Sequence, residues 1–180
     1  GLPAASGRPP NRDHQPILQP RASRGWPAHA PTGILVRSLA TGSPMFSIPI
    51  RVYWEDTDAG GVVYHARYVA FLERARSDAL RAMGRGQQAL QQAGLVFAVH
   101  SMRLDFLRPA RLDDLLEVTA EISRVGRASV VFAQRILRGD EVLLAAEVKV
   151  ASLRAADFRP CPIEETLYQE LQRLQAGPTP

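Results

Sequence analysis

The spacing of apolar residues changes at Met45 and from there predicts a strand, a long helix and a short helix. Residues 46–52 alternate between apolar and polar or proline positions, as in a short edge strand. From about Tyr64 to Met83, apolar residues recur every three or four positions, which predicts one amphipathic helix ended by Gly84. Its apolar stripe is Tyr68, Leu72, Ala75, Ala79 and Met83. A second helix is predicted around Gln87–Gln92 and ends at Gly94.

After Gly94 the apolar period becomes two, which predicts four further strands. One face of the first of these strands is predicted to comprise Val96, Ala98, Met102, Leu104 and Phe106. His100 interrupts this apolar face, and we interpret it as a core histidine. Short polar links predict antiparallel neighbours in a meander; they are Arg108–Asp114, Arg124–Arg127 and Arg138–Asp140. The pattern therefore predicts an α+β fold, with a five-stranded antiparallel sheet against one long helix. A last helix, from Ile163 to about Gln175, is predicted at the surface.

The first 44 residues differ in composition from the rest of the chain. They hold eight of the 14 prolines, and five arginines against one acid give them the whole net charge of +4. We interpret residues 1–44 as a disordered extension, or as translated leader upstream of a true start at Met45, and residues 45–180 as the folded domain. A folded part with no net charge argues against nucleic-acid binding. The sequence contains no run of 18 apolar residues, so no membrane-spanning helix is predicted. The single cysteine, Cys161, fits a reducing compartment.

The junction between the first strand and the long helix carries the candidate chemistry. Three carboxylates, two adjacent glycines and His65 fall within a dozen residues. Gly60 and Gly61 allow a ligand to approach the backbone closely, and the first N–H groups of the helix lack partners inside it. Those donors can polarise a carbonyl oxygen while a carboxylate attacks it or activates water, and Asp58 is the first candidate. The alternative is that Asp58 only forms the turn or caps the helix.

The same stretch, Val52–Tyr68, closely resembles the active-site motif of hotdog-fold acyl-CoA thioesterases. The nearest resemblance is to the Tol-Pal-associated YbgC type, a relative of the 4-hydroxybenzoyl-CoA thioesterases. It continues through Phe71–Arg76, and similar segments occur at Pro109–Asp114 and Val131–Ile136. The resemblance covers roughly residues 46–152 and none of the N-terminal stretch.

The resemblance assigns roles to individual residues. It implies Asp58 as nucleophile or general base, and the backbone N–H of His65 as the donor that holds the thioester carbonyl. The approach to the site would be lined by Val62, Val63 and Tyr64. Trp54 stands where the subgroup usually has tyrosine, which keeps an aromatic wall but removes a hydroxyl. The phosphate-rich end of coenzyme A would dock at Arg124, Arg127 and Ser129.

The implied function is hydrolysis of an acyl-CoA thioester to a carboxylic acid and free CoA, without metal or further cofactor. The implied substrate is acyl-CoA, and acyl carrier protein is a further expected partner. The resemblance also implies a cytoplasmic homodimer or homotetramer with active sites between the subunits. The alternatives are an acyl-thioester hydratase or dehydratase of the same fold and a non-catalytic acyl-binding protein of the Tol-Pal envelope machinery. Acyl-chain preference cannot be inferred. Three lesser interpretations are a helical Glu73–Arg76 pair, an inert Cys161 and a turn at Asp113–Asp114.

Overall fold

A computed structural model describes residues 46–176 of the chain. The predicted extension and the alternative start at Met45 therefore lie outside the described residues. The elements in chain order are β1 (Phe46–Arg51), a 3-10 turn (Trp54–Asp56), α1 (His65–Ala82), α2 (Gln87–Gln92), β2 (Leu95–Phe106), β3 (Leu115–Gly126), β4 (Ser129–Arg138), β5 (Glu141–Arg154) and α3 (Glu165–Ala176). None of these helices is both long enough and apolar enough to cross a membrane.

The five strands form one antiparallel sheet in the order β1-β3-β4-β5-β2, which confirms the predicted α+β class. The prediction that β2 and β3 are neighbours is wrong, because β2 pairs with β5 at the opposite edge from β1. The link at residues 107–114 is long enough to cross the end of the sheet. The N–H groups of Leu107 and Arg108 donate to Leu143 of β5, and at the other end Val52 donates to Asp114.

One face of the sheet packs against α1 and forms the core. The predicted stripe is confirmed at Tyr68, Leu72 and Ala75, which are buried, and Phe71 joins them. Gly84 ends the helix region with a φ of +71°, a conformation that glycine adopts without steric cost. The core against α1 draws on all five strands.

A β-bulge at His100 changes which residues of β2 face the core. Val99 pairs with Val150 and Ser101 with Lys149, so His100 is an extra residue on β2. The predicted face of β2 is therefore wrong before the bulge: Phe97, and not Val96 or Ala98, lies on the face of Met102 and Leu104. His100 is exposed and is not a core histidine.

The last helix packs into the core instead of lying only on the surface. Leu167 and Leu171 of α3 are 1 % and 0 % exposed, and Ile163 just before it is also buried. The Glu164 carboxylate accepts the N–H groups of Thr166 and Leu167 at the start of α3. These hydrogen bonds lower the pKa of Glu164.

Candidate active site

A tight turn fixes the backbone of Asp58 between β1 and α1. The Asp58 N–H donates to Val62 O at 3.0 Å, and the Gly61 N–H donates to Asp58 O at 3.0 Å. Gly61 has a φ of +73°, which favours glycine. Thr57 and Val63 form an antiparallel bridge just outside this turn. The turn therefore holds one carboxylate at the tip of a short, closed loop.

The Asp58 side chain is exposed and has no cationic partner among the described residues. Its Oδ1 accepts the N–H of Gly60 at 2.8 Å, so the predicted role as a turn-former is real. A Cβ at position 60 would lie 3.0 Å from that same oxygen, so a larger residue there would push the carboxylate aside by a few tenths of an ångström. The second carboxylate oxygen has no hydrogen bond from residues 46–176, and is available to a water or a substrate.

The start of α1 presents free backbone donors. Tyr64 precedes the helix with extended backbone angles and provides no side-chain cap. Arg67 donates its N–H to Tyr64 O at 2.8 Å, whereas the N–H groups of His65 and Ala66 have no acceptor within the described part of the chain. Free donors and the positive end of the helix dipole favour an oxygen that carries negative charge. The His65 N–H is therefore free to bind a ligand oxygen, and its role as the thioester-carbonyl donor stays a prediction.

Asp56 is buried and ties the loop to α1. Its carboxylate accepts the Arg67 Nε–H at 2.6 Å and the Tyr53 N–H at 2.9 Å. Its backbone carbonyl accepts the Tyr64 N–H at 2.9 Å. Sequence reasoning counted Asp56 among the acids but missed the Arg67 partner. An available signal was the eleven-residue spacing of two opposite charges that flank the turn and the helix start.

A second connection joins the loop, α1 and the link between β2 and β3. The Tyr68 hydroxyl oxygen accepts the Ala110 N–H at 2.8 Å, and Ala110 O accepts the Val63 N–H at 2.9 Å. Burial raises the pKa of the Tyr68 phenol. The sequence placed Tyr68 on the apolar stripe, but gave no indication of its polar partner because that partner is 42 residues away.

The residues predicted to line the approach occupy different environments. Trp54 is 79 % exposed and Tyr64 is 45 % exposed, and the Tyr64 ring lies 4.4 Å from the His65 ring, centroid to centroid. Val62 is half-buried, whereas Val63 is buried in the core and anchors the end of the loop. Of the residues predicted to line the approach, Trp54 and Tyr64 are therefore open to solvent, and the Tyr64 ring lies beside His65 at the helix start.

The predicted phosphate site lies at the far end of the sheet. Arg124 and Arg127 are exposed and Ser129 is half-buried at the β3–β4 turn. The Asp58 loop adjoins the start of β3 at Leu115, and the nine residues from there to Arg124 span about 30 Å in an extended strand. One chain therefore does not bring these arginines to Asp58.

The lesser candidates have structural partners. Arg76 is buried and donates to Gln134 Oε1 at 2.6 Å, while Glu73 accepts from Ser77, so the predicted Glu73–Arg76 pair interacts through charge but forms no hydrogen bond. Burial lowers the pKa of the Arg76 guanidinium. Asp113 has a φ of +67°, which confirms the turn there. Within residues 46–176, no group of three or more His, Cys, Asp or Glu side chains could hold a metal ion.

Comparison with known proteins identifies the family. A model of the thioesterase superfamily matches residues 60–145. The chain is 45 % identical over 130 residues to "Acyl-CoA thioester hydrolase YbgC" of Escherichia coli O157:H7, covering 72 % of this chain and 97 % of that one. It is 48 % identical over 116 residues to "Acyl-CoA thioesterase YbgC" of Haemophilus influenzae, covering 64 % and 85 %.

Solved structures show the same fold. A probable thioesterase from Bartonella henselae superposes with a TM-score of 0.64 at 38 % identity, covering 67 % of this chain and 99 % of that one. A 1,4-dihydroxy-2-naphthoyl-CoA thioesterase from Synechocystis superposes with a TM-score of 0.65 at 21 % identity, covering 73 % and 96 %, and shows the fold alone. The sheet and central helix are the hotdog fold of these thioesterases. The chain belongs to the YbgC family of acyl-CoA thioesterases, within the thioesterase superfamily.

Proposed function

We propose that the protein hydrolyses acyl-CoA thioesters to a carboxylic acid and free CoA. The observation that carries the proposal is an exposed Asp58 carboxylate with no cationic partner among residues 46–176, followed closely in the chain by the free N–H groups that begin α1. The family relationship supports the reaction type, because the relatives are named acyl-CoA thioester hydrolases.

In the proposed reaction, the thioester carbonyl oxygen accepts the His65 N–H, and the helix dipole stabilises the negative charge that develops on it. As a general base, Asp58 takes a proton from water, whose oxygen attacks the carbonyl carbon. As a nucleophile, Asp58 itself attacks, and water then hydrolyses the resulting anhydride. On both routes the C–S bond breaks, the thiolate of CoA leaves and then takes a proton.

The proposal includes assembly of at least two copies of the chain. Within the described sheet, β2 is an edge strand that pairs with β5 on one side only, and Val99, Phe106 and Leu107 on or beside it are about half exposed. Apolar edge strands are usually covered by pairing. A second copy could also bring its Arg124 and Arg127 to an Asp58 that is some 30 Å away within one chain. We therefore propose a homodimer or a homotetramer with sites at the subunit interface.

A thiol-release assay tests the reaction. The wild type and Asp58→Asn are compared on short, long and aromatic acyl-CoAs and on an acylated carrier protein, all at one enzyme concentration. We expect release of free thiol and a loss of about 100-fold or more in the variant, the size expected for a general base. An Asp58→Asn rate equal to wild type would refute the site assignment.

An enoyl-CoA substrate separates the hydratase alternative. Hydrolysis releases CoA, whereas a hydratase adds water across the double bond and leaves the thioester intact. Product masses distinguish the two results directly. Water addition without thiol release would replace the thioesterase proposal, and binding of acyl-CoA with neither reaction would favour the acyl-binding alternative. The reducing, cytoplasmic compartment remains part of the proposal and is supported by the single free Cys161.

A further inference from the structure

The Asp56–Arg67 pair links the candidate catalytic loop to the first turn of α1. Arg67 approaches the carboxylate with both Nε and Nη2, and the Nε–Oδ1 distance is 2.6 Å. Asp56 is only 2 % exposed, whereas Arg67 is 28 % exposed at its side chain. Both nitrogens approach the same oxygen, Oδ1, while Oδ2 accepts the Tyr53 N–H, so partners on α1 and in the loop together fix the orientation of the carboxylate. The pair therefore defines how the loop sits on the helix.

The middle of the loop has few apolar contacts to hold it. Val52 and Val63 are buried at its two ends, but most residues between them are exposed. Asp56 is the buried exception, and it joins the Tyr53 N–H, the Tyr64 N–H and the Arg67 side chain. The order of this segment depends on polar contacts, and the Arg67 contact is the one made by a charged side chain of α1.

Charge gives Arg67 a second effect. An unpaired Asp56 carboxylate would place a buried negative charge beside the helix start, where the developing oxyanion needs stabilisation. Like charges at such short range are unfavourable in a partly desolvated site. Arg67 compensates Asp56 and also lies 3.5 Å from Glu55 Oε1. Within residues 46–176, Asp58 is then the loop acid left without a cationic partner.

We propose that Arg67 is a positioning residue for thioester hydrolysis. It acts through Asp56, holding the Asp58 loop in register with the N–H groups of His65 and Ala66 and cancelling a nearby negative charge. The inference rests on the proposed function, since it assigns Arg67 a part in that reaction. It predicts a defect in turnover more than in substrate binding.

The experiment compares Arg67→Met, Arg67→Lys and the control Arg81→Met. Arg81 forms an exposed ion pair with Asp78 in the last turn of the same helix, far from the loop. We expect kcat of Arg67→Met to fall about 10- to 100-fold, the scale of a displacement near 1 Å in a catalytic group. KM should stay within about twofold, since ground-state binding is retained. Arg67→Lys should fall between, because lysine keeps the charge but lacks the planar fork.

Amide hydrogen exchange supplies a readout independent of activity. We expect faster exchange in residues 53–62 of Arg67→Met, with the core strands unchanged. A kcat equal to wild type would overturn the inference, and so would a kcat loss without faster loop exchange. If Arg67→Met unfolds, Arg67→Lys is judged by the same two criteria. A wild type that releases no thiol would refute the proposed function, and loop exchange would then still show whether Arg67 holds the loop.

Discussion

Gln134 anchors the middle of α1 to the sheet, and its replacement by leucine is expected to destabilise the fold. The residue is 1 % exposed on β4. Its Oε1 accepts the Arg76 Nη1–H at 2.6 Å, and its Nε2 donates to Leu72 O at 3.1 Å and Thr119 O at 2.9 Å. Leucine has a similar volume but can make none of these bonds. The substitution therefore isolates the polar contribution of one buried side chain.

The expected loss can be worked from these three bonds. A hydrogen bond to a charged group contributes about 1.5–3 kcal/mol, and a neutral one contributes about 1 kcal/mol. Losing the bond to Leu72 O should cost little, because this carbonyl lies within α1 and can still accept a backbone N–H of the helix. The Arg76 guanidinium loses its acceptor while remaining buried, and this is the largest cost. We expect Gln134→Leu to lower the free energy of unfolding by about 2–4 kcal/mol.

A double-mutant cycle tests this account by urea unfolding at one protein concentration, since oligomers gain stability with concentration. Arg76→Met/Gln134→Leu removes both polar groups and should cost less than the two single losses added together, with a coupling of about 2 kcal/mol. Gln88→Leu, at an exposed position of α2, is the matched control and should stay within about 0.5 kcal/mol. Additive losses in the double variant would refute the reasoning, as would a Gln134→Leu that matches the control.

Two further predictions concern the loop. Gly60→Ala should lower kcat by about 2- to 10-fold, because the new Cβ would lie 3.0 Å from Asp58 Oδ1 and shift it by a few tenths of an ångström. Gly86→Ala, which meets no atom within 4 Å, is the kinetic control. Tyr68→Phe should lower the free energy of unfolding by about 1–3 kcal/mol, because the Ala110 N–H loses its acceptor, and denaturant titration measures it. Burial raises the pKa of Tyr68, so the folded state favours the protonated phenol. The stability that this preference contributes is present below about pH 10 and is lost as the pH rises further. The phenylalanine variant should lack that loss of stability at alkaline pH.

The sequence predicted elements well where local patterns decide them. The stripe of α1 and the alternation in β3, β4 and β5 follow from burial of one face, so both periods were readable. The face of β2 was predicted wrongly because one bulge at His100 reverses the alternation, and a bulge carries no strong local pattern. The pairing of β2 was also wrong, since an eight-residue link can either turn back or cross the sheet.

The candidate site shows the same division between local and long-range information. The Asp58 turn and the helix start are consecutive in the chain, so residue type and spacing were enough to predict them. Asp56, Tyr68 and Gln134 each bond to a residue of another element. Tyr68 and Gln134 lie tens of residues along the chain from these partners. A single inward polar residue in an apolar alternation, such as Gln134, was the available signal. It indicates a buried partner without identifying it.

The three loop acids show why residue type alone does not identify a catalytic group. Glu55 is exposed at the edge of the Arg67 contact, and Asp56 is buried with its carboxylate engaged by Arg67 and a backbone N–H. Asp58 is oriented by a backbone N–H but carries no neutralising cation among the described residues. A base or nucleophile needs both a fixed position and an uncompensated charge, and a paired carboxylate provides only the first. In the proposed reaction, Asp56 therefore positions the loop, and Asp58 is the acid that acts on the substrate.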